Sequence, residues 1–144
     1  MRTYIFRIYL MRNKKIYREI EVFENTNLYK LAETIIDAYN FNFDHCFGFF
    51  SKISESRYFD SEKKYELFTD LIEEGENLES TGAKSVKKTK VKDVWQKFGD
   101  KMMFLFDYGD SWQFIVDLKD FSRKKAGIKY PKILLKVGRP PKQY

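Results

Sequence analysis

The stretch "KMMFLFDYGDSWQFIVDL" at residues 101–118 decides the fold, because it contains two strand-like segments separated by a tight turn. Apolar residues alternate along both segments, as on the inward face of a strand. They are Met102, Phe104 and Phe106 in the first segment and Trp112, Phe114, Val116 and Leu118 in the second. The opposite faces carry Leu105 and Ile115, which predicts a central hairpin that is covered on both sides.

The turn "DYGD" at residues 107–110 is the first candidate site. Asp107 and Asp110 can converge on a hard cation or act as an acid and base pair. They can equally accept backbone N–H bonds in an Asx-type turn in which Gly109 takes a positive φ. We favour the turn, because the activated serine and second histidine of common hydrolytic sites are missing. His45, the single histidine, would join the site as a metal ligand or proton shuttle if the fold placed it beside the turn.

The rest of the chain is divided into elements by changes in the spacing of apolar residues. They are strands at 4–11 and 16–23, a helix within 24–40 capped by Thr26 or Asn27, a strand within 41–53, a helix at 61–75, a short helix at 91–99, the hairpin, and a last strand at 133–137. The order β-β-α-β-α-α-β-β-β predicts an α+β domain. We expect a mixed or mainly antiparallel sheet of about five strands, with helices packed mainly on one face.

Length and composition limit the classes of protein that remain. A chain of 144 residues without a proline-rich or glycine-rich linker predicts a single domain over residues 1–144. Its 43% hydrophobic and 18% aromatic residues exclude a disordered chain. Cys46 is the single cysteine, so with His45 the chain offers too few soft ligands for zinc, and we predict no metal and no cofactor. The absence of a long apolar run or signal-peptide pattern predicts a cytoplasmic protein with no membrane partner.

The net charge of +6 favours polyanionic partners such as DNA or RNA. The cations fall in a lysine-rich loop near residues 76–90 and in a second group after the hairpin. The candidate nucleic-acid-binding residues are Lys84, Lys87, Lys88, Lys90, Lys92, Arg123, Lys124 and Lys125. Both groups can neutralise phosphates, whereas the alternative is a solvated lysine surface. The tail at residues 138–144 contains two successive prolines, so we expect it to be extended and docked on its own domain.

Three motifs together resemble the Ri-plasmid ORF-3-like family, whose members are also called insertion-element passenger, resolvase-like proteins. The motifs are "HCFGF" from residue 45, "FDYGDSW" from residue 106 and "GRPPKQY" from residue 138, and the matching residues are His45, Asp107, Tyr108, Gly109, Asp110, Trp112, Gly138 and Pro141. The resemblance implies an α+β fold and an association with mobile elements, but no established activity. Phe114 stands where many members have a histidine, which weakens the case for a site built on two histidines.

Three hypotheses of function follow. The first is a non-enzymatic binding or interaction domain of a mobile-element-associated family that contacts nucleic acid through its basic loops. The second is a hydrolase or metal-dependent enzyme with a site at His45, Asp107 and Asp110, which requires these side chains to converge. The third is a homo-oligomeric structural module. We favour a protein that is not an enzyme, and the oligomeric state is left open.

Overall fold

Seven strands and three helices follow one another in the computed structural model, which describes residues 1–144. In chain order they are β1 (Arg2–Leu10), β2 (Asn13–Phe23), α1 (Leu28–Ala38), β3 (Phe47–Phe50), β4 (Lys64–Glu66), α2 (Leu67–Glu73), α3 (Val91–Val94), β5 (Lys101–Phe106), β6 (Trp112–Arg123) and β7 (Lys132–Val137). The strands form one antiparallel sheet in the spatial order β4-β3-β5-β6-β1-β2-β7. None of the helices has the length and apolar character needed to cross a bilayer.

Helix α1 covers one face of this sheet. Asn27 starts the helix, because its side-chain oxygen accepts a hydrogen bond from the backbone N–H of Lys30 at 2.8 Å. Apolar side chains at helical spacing then pack against the inward residues of the strands. The resulting core includes Leu28, Leu31, Ile35, Ile36, Phe6, Ile8, Ile20, Phe104, Phe114 and Val116. Trp95 joins it from the residue after α3, and its Nε1–H donates to the carbonyl of Val116 at 3.1 Å.

The hairpin formed by β5 and β6 lies inside the sheet, between β3 and β1. Leu105 and Ile115 are buried on the face opposite α1. Leu105 packs there with Phe50 and Met103 in a second apolar cluster, against which Tyr58 also lies. The prediction of a central hairpin covered on both sides is therefore confirmed.

The α+β class is confirmed, but the sheet has seven strands rather than about five. One additional strand lies within the stretch 61–75 that we expected to be helical. Lys64–Glu66 pairs with β3, and Tyr65 lies opposite Phe49. The predicted helix is consequently limited to Leu67–Glu73, since pairing with β3 prevails over the local helical spacing of the apolar residues.

The lysine-rich stretch 76–90 contains no helix or strand, but hydrogen bonds anchor it to the domain at several points. The buried carboxylate of Asp70 on α2 accepts hydrogen bonds from the Ser85 hydroxyl at 2.5 Å and from the Val86 backbone N–H at 2.9 Å. Val86 is completely buried in the main core. These contacts fix the loop against the domain, although its lysines remain exposed.

Candidate functional site

The "DYGD" turn is held by the side chain of its first residue. Asp107 Oδ1 accepts hydrogen bonds from the backbone N–H groups of Gly109 at 3.0 Å and Asp110 at 3.2 Å, which is the predicted Asx-type arrangement. The prediction that Gly109 takes a positive φ is wrong. Asp107 and Ser111 take it instead, with φ of 66° and 56°. Aspartate tolerates this region because its short polar side chain can bond to nearby backbone groups.

His45 lies beside the turn. Its Nε2 is 3.5 Å from Asp107 Oδ2, and its Nδ1 is 2.6 Å from Asp44 Oδ1. The sheet brings these residues together, because Phe47 at the start of β3 pairs with Phe106 at the end of β5. The ring of His45 also meets the ring of Phe106 edge to face, with centroids 6.0 Å apart. The structure therefore joins two of the three predicted site residues.

The third predicted residue, Asp110, does not take part in this arrangement. Its carboxylate lies more than 4.0 Å from both His45 nitrogens, and it contributes its backbone N–H to the turn. Asp44 and Asp107 face opposite ring nitrogens of His45, so they do not converge on one point where a cation would be bound. An imidazole donates to both carboxylates only as the imidazolium, since the neutral ring has a single N–H.

The tail covers this region. Gln143 accepts from the Asn42 backbone N–H at 2.7 Å, and its side-chain amide donates to the Asn42 carbonyl at 3.0 Å and to Asp44 Oδ1 at 3.3 Å. The hydroxyl of Tyr144 donates to Asp44 Oδ2, and the Tyr144 ring lies 6.4 Å from that of His45. Asp44 and Tyr144 were not among the predicted site residues; the only sequence signal was the position of Asp44 directly before His45.

The hydrogen bond between Asp44 and Tyr144 changes the acidity of both groups. It is the main cause that lowers the pKa of Asp44, with a smaller contribution from the hydrogen bond to His45. The same bond raises the pKa of Tyr144 to about 12, because the phenol then donates to a carboxylate. The tail is thus held by a charge-assisted hydrogen bond at neutral pH.

A second group of ionisable side chains lies behind the turn. The hydroxyl of Tyr108 donates to the buried carboxylate of Glu66, and burial followed by the charge of Glu66 raises the pKa of Tyr108. Burial also raises the pKa of the Cys46 thiol, so this side chain is a poor nucleophile. Gly48 leaves space for the Glu66 side chain that binds Tyr108, because a Cβ at position 48 would lie 2.9 Å from it. The turn is thus tied to β4 through Tyr108 and Glu66, and the backbone N–H of Asp107 donates to the carbonyl of Cys46 at 2.9 Å.

The two predicted basic groups differ in their electrostatic surroundings. In the lysine-rich loop, Lys87 pairs with Glu74 at 2.9 Å and Lys88 pairs with Glu73 at 3.0 Å. Both carboxylates belong to α2 or to the residue that ends it. These ion pairs reduce the positive potential of the loop, which the spacing of the lysines in the sequence did not predict.

The second basic group has no acidic partner. No carboxylate lies within 4.0 Å of the charged atoms of Arg123, Lys124 or Lys125. Arg2 lies beside them, because it pairs with Arg123 across β1 and β6. We call Arg2, Arg123, Lys124 and Lys125 the basic end of the sheet.

Aromatic side chains accompany the basic end. Arg2 and Arg123 line a shallow cleft of about 280 Å³ together with Phe121 and Ser122. The guanidinium of Arg2 lies 4.6 Å from the ring centre of Phe121, and Phe98, whose ring is 5.3 Å from that of Phe121, is 61% exposed. Arg2 is paired with Glu24 at 3.1 Å, so Arg123 is the cation of this cleft that has no carboxylate partner. A cation beside an exposed ring is a combination that binds unpaired nucleotides.

Known proteins resemble this chain in sequence family and in fold. A family profile described as plasmid pRiA4b ORF-3-like protein matches residues 2–143. The chain belongs to this family. No curated protein matches it. A crystal structure of a protein of unknown function from Methanosarcina mazei Go1 is similar, with a TM-score of 0.75 and 20% sequence identity over 97% of this chain and 71% of that one.

The residues of the three sequence motifs lie mainly at structural positions. Trp112 meets Phe41 edge to face at 4.9 Å. Gly138 has a φ of 85° and passes so close to Ile16 that a Cβ would lie 2.9 Å from its side chain. His45 and Asp107 are the exceptions. They bring two ionisable side chains within 3.5 Å of each other, next to the tail.

Proposed function

We propose that this member of the pRiA4b ORF-3-like family binds single-stranded nucleic acid at the basic end of the sheet. The observation that carries the proposal is the group Arg123, Lys124 and Lys125, which has no carboxylate partner. Arg123 shares its cleft with Phe121, whose ring meets the exposed ring of Phe98. Free cations neutralise phosphates, and exposed aromatic rings stack on unpaired bases.

Further charge lies near the same surface. The backbone N–H of Lys92 donates to the carbonyl of Glu24 at 3.2 Å, and the carboxylate of Glu24 accepts from Arg2. Lys92 therefore extends the basic end toward α3. The predicted loop lysines Lys87 and Lys88 contribute less, because Glu74 and Glu73 neutralise them.

The variant R123E/K124E/K125E tests which surface binds. We expect its affinity for a fluorescent 16-nucleotide oligothymidine at low salt to fall at least tenfold, because three phosphate contacts are replaced by repulsion. Fluorescence anisotropy measures the affinity. The control R12E/K14E/K15E makes the same charge change in the turn between β1 and β2 and at the start of β2, at the other end of the sheet. An equal loss of affinity in both variants would contradict the proposal.

A second function, hydrolysis at His45, is favoured by one observation, the 2.6 Å distance between His45 Nδ1 and Asp44 Oδ1. A histidine oriented by a carboxylate can act as a general base. In this arrangement Asp44 orients the ring through Nδ1, so Nε2 is the nitrogen that would accept a proton, and 37% of the His45 side chain is exposed. Removal of the tail would widen access to the ring.

The test uses p-nitrophenyl acetate and bis-p-nitrophenyl phosphate as probes, with and without Mg²⁺. If His45 is a general base, H45Q should lower the rate by about 10²-fold or more, while the distant surface variant D120N should retain it. Equal rates in wild type and H45Q, or no hydrolysis of either probe, would exclude the hydrolase hypothesis for these ester classes.

A further inference from the structure

The rings and cations at the basic end lie on both faces of the sheet. On the first face, Tyr4 is buried in the main core and lies opposite Phe121, while Arg2 lies opposite Arg123. Because residues two apart on a strand share a face, all four side chains lie on the face that packs against α1. Phe98 extends this group through its contact with Phe121. We call Arg2, Phe98, Phe121 and Arg123 the inner cluster.

A second group of rings and cations lies on the opposite face. Thr3 alternates with Tyr4 on β1, and Phe23 lies opposite Thr3, so Phe23 points away from α1. The rings of Phe23 and Tyr130 are 4.9 Å apart, and Lys124 Nζ is 5.9 Å from the centre of the Phe23 ring. We call Phe23, Lys124 and Tyr130 the outer cluster.

The segment 123–125 connects the two clusters around the end of the sheet. Arg123 belongs to the inner cluster and Lys124 to the outer one, because successive side chains of an extended segment point to opposite faces. The backbone N–H of Lys125 donates to the hydroxyl of Tyr130 at 3.2 Å, so the third cation adjoins the outer cluster. All three cationic side chains are exposed. A strand whose phosphates contact them in turn passes from one pair of rings to the other.

The carboxylates that are nearest to these rings in the sequence are engaged by the protein itself. Each accepts a hydrogen bond. They are Glu21, bound by the Thr3 hydroxyl, Glu24, bound by Arg2, Asp100, bound by the backbone N–H groups of Gln96 and Lys97, and Asp120, bound by the backbone N–H of Phe121. The path between the clusters therefore presents cations that have no acidic partner, which suits a polyanion.

The distance between the clusters indicates the length of the bound segment. Strands β1 and β2 lie between β6, which carries Phe121, and β7, which Tyr130 precedes. Three strand spacings of about 4.8 Å separate the two rings by about 14 Å along the sheet. The smallest binding sites for unpaired strands hold about four nucleotides. A segment of that length can have one base at each cluster.

We propose that an unpaired strand of nucleic acid bends over the end of the sheet and stacks one base on the inner cluster and another on the outer cluster. Arg123 and Lys124 neutralise the phosphates between the two bases. This inference rests on the proposed function, and it adds the Phe23–Tyr130 pair as a second stacking contact. Because rings and phosphates make the contacts, binding does not depend on base sequence.

The variants F98L and Y130L each replace one ring by an apolar side chain. We expect each to lower the affinity for the fluorescent 16-nucleotide oligothymidine at least fivefold at low salt, and the losses to multiply in F98L/Y130L. The matched control is F59L, because Phe59 is 57% exposed and lies beside Tyr58, which packs against the β3 side of the sheet. F59L should bind as the wild type does.

The outcomes separate this inference from the proposed function. Loss of affinity in R123E/K124E/K125E together with wild-type affinity in Y130L would overturn the second contact alone, whereas no binding by the wild-type protein would overturn both. Y130F keeps the ring and removes only the hydroxyl that Lys125 binds, so it should lose less affinity than Y130L. Equal losses in the two variants would assign the effect to the loop and overturn the inference.

Photocross-linking tests the same path in the wild-type protein, without a variant that could fail to fold. An oligothymidine that contains 4-thiothymidine should cross-link both to Phe98 or Phe121 and to Phe23 or Tyr130, as identified by mass spectrometry. At saturation one eight-nucleotide strand should bind per protein. Cross-links confined to the inner cluster, or two strands bound per protein, would contradict a single path over the end of the sheet.

Discussion

The two carboxylate oxygens of Asp107 have different roles, one in the turn and one beside His45. Oδ1 accepts both turn hydrogen bonds, while Oδ2 faces His45. The side chain is only 9% exposed, so these contacts are made largely away from solvent. Loss of the carboxylate should therefore affect the stability of the turn as well as any chemistry at His45.

Substitution of Asp107 tests the structural role. D107A removes the turn acceptor and leaves an alanine at a φ of 66°, so we expect a loss of about 2–3 kcal/mol in the free energy of unfolding. D107N retains an acceptor oxygen and tolerates this φ, so its loss should be about 1 kcal/mol. Urea denaturation measures both. The surface control D120N should change stability by less than about 0.5 kcal/mol, and equal losses in D107A and D107N would contradict the assigned role.

The site could be predicted from the sequence only in part. The residue types in "DYGD" indicate a carboxylate-held turn, because aspartate and glycine are the usual residues there. They do not indicate which residue takes the positive φ, since both types tolerate it. The contact between His45 and Asp107 depends on the register of β3 against β5, which no local pattern reports.

Docking of the tail is an interaction between elements. The pKa of Asp44 is lowered, so its contribution is present above the ordinary carboxyl value of 3.8 and is lost as the pH falls through the lower value of the docked state. The pKa of Tyr144 is raised from 10.0 to about 12, so its contribution is present below pH 10 and is lost as the pH rises through about 12. Docking should thus be constant across neutral pH.

The variant Y144F tests this linkage. It removes the hydroxyl that is the main cause of the low pKa of Asp44, so we expect that pKa to rise toward 3.8. A ¹³C NMR titration of the Asp44 carboxyl measures the change. Y130F removes a hydroxyl far from Asp44 in the sequence and serves as the control. An unchanged Asp44 pKa in Y144F would show that the tail does not dock as described.

Elements differ in how well the sequence predicts them. Helix α1 is predicted closely, because its apolar spacing and its Asn27 cap are local features. Strand β4 is missed, because Tyr65 also fits the apolar face of a helix and only its pairing with Phe49 selects the strand. Local spacing cannot report a partner that lies elsewhere in the chain.

At the scale of the whole molecule, the two candidate regions lie at opposite ends of one sheet. Strand β6 runs from Trp112, next to the turn, to Arg123 at the basic end, and its length separates the two by about 35 Å. The sequence alone indicates two basic groups that are equally good candidates for binding nucleic acid. The fold distinguishes them. Glu73 and Glu74 pair with lysines of the first group, whereas no carboxylate pairs with the cations that follow the hairpin.

The most direct measurement of the central claim is the salt dependence of binding of the wild-type protein to oligothymidine. Three phosphate contacts at the basic end predict a slope of about −2 for the logarithm of the binding constant against the logarithm of salt concentration, at about 0.7 per contact for single strands. The slope should approach zero in R123E/K124E/K125E. No detectable binding by the wild-type protein at low salt, or binding that does not weaken as salt rises, would contradict the account.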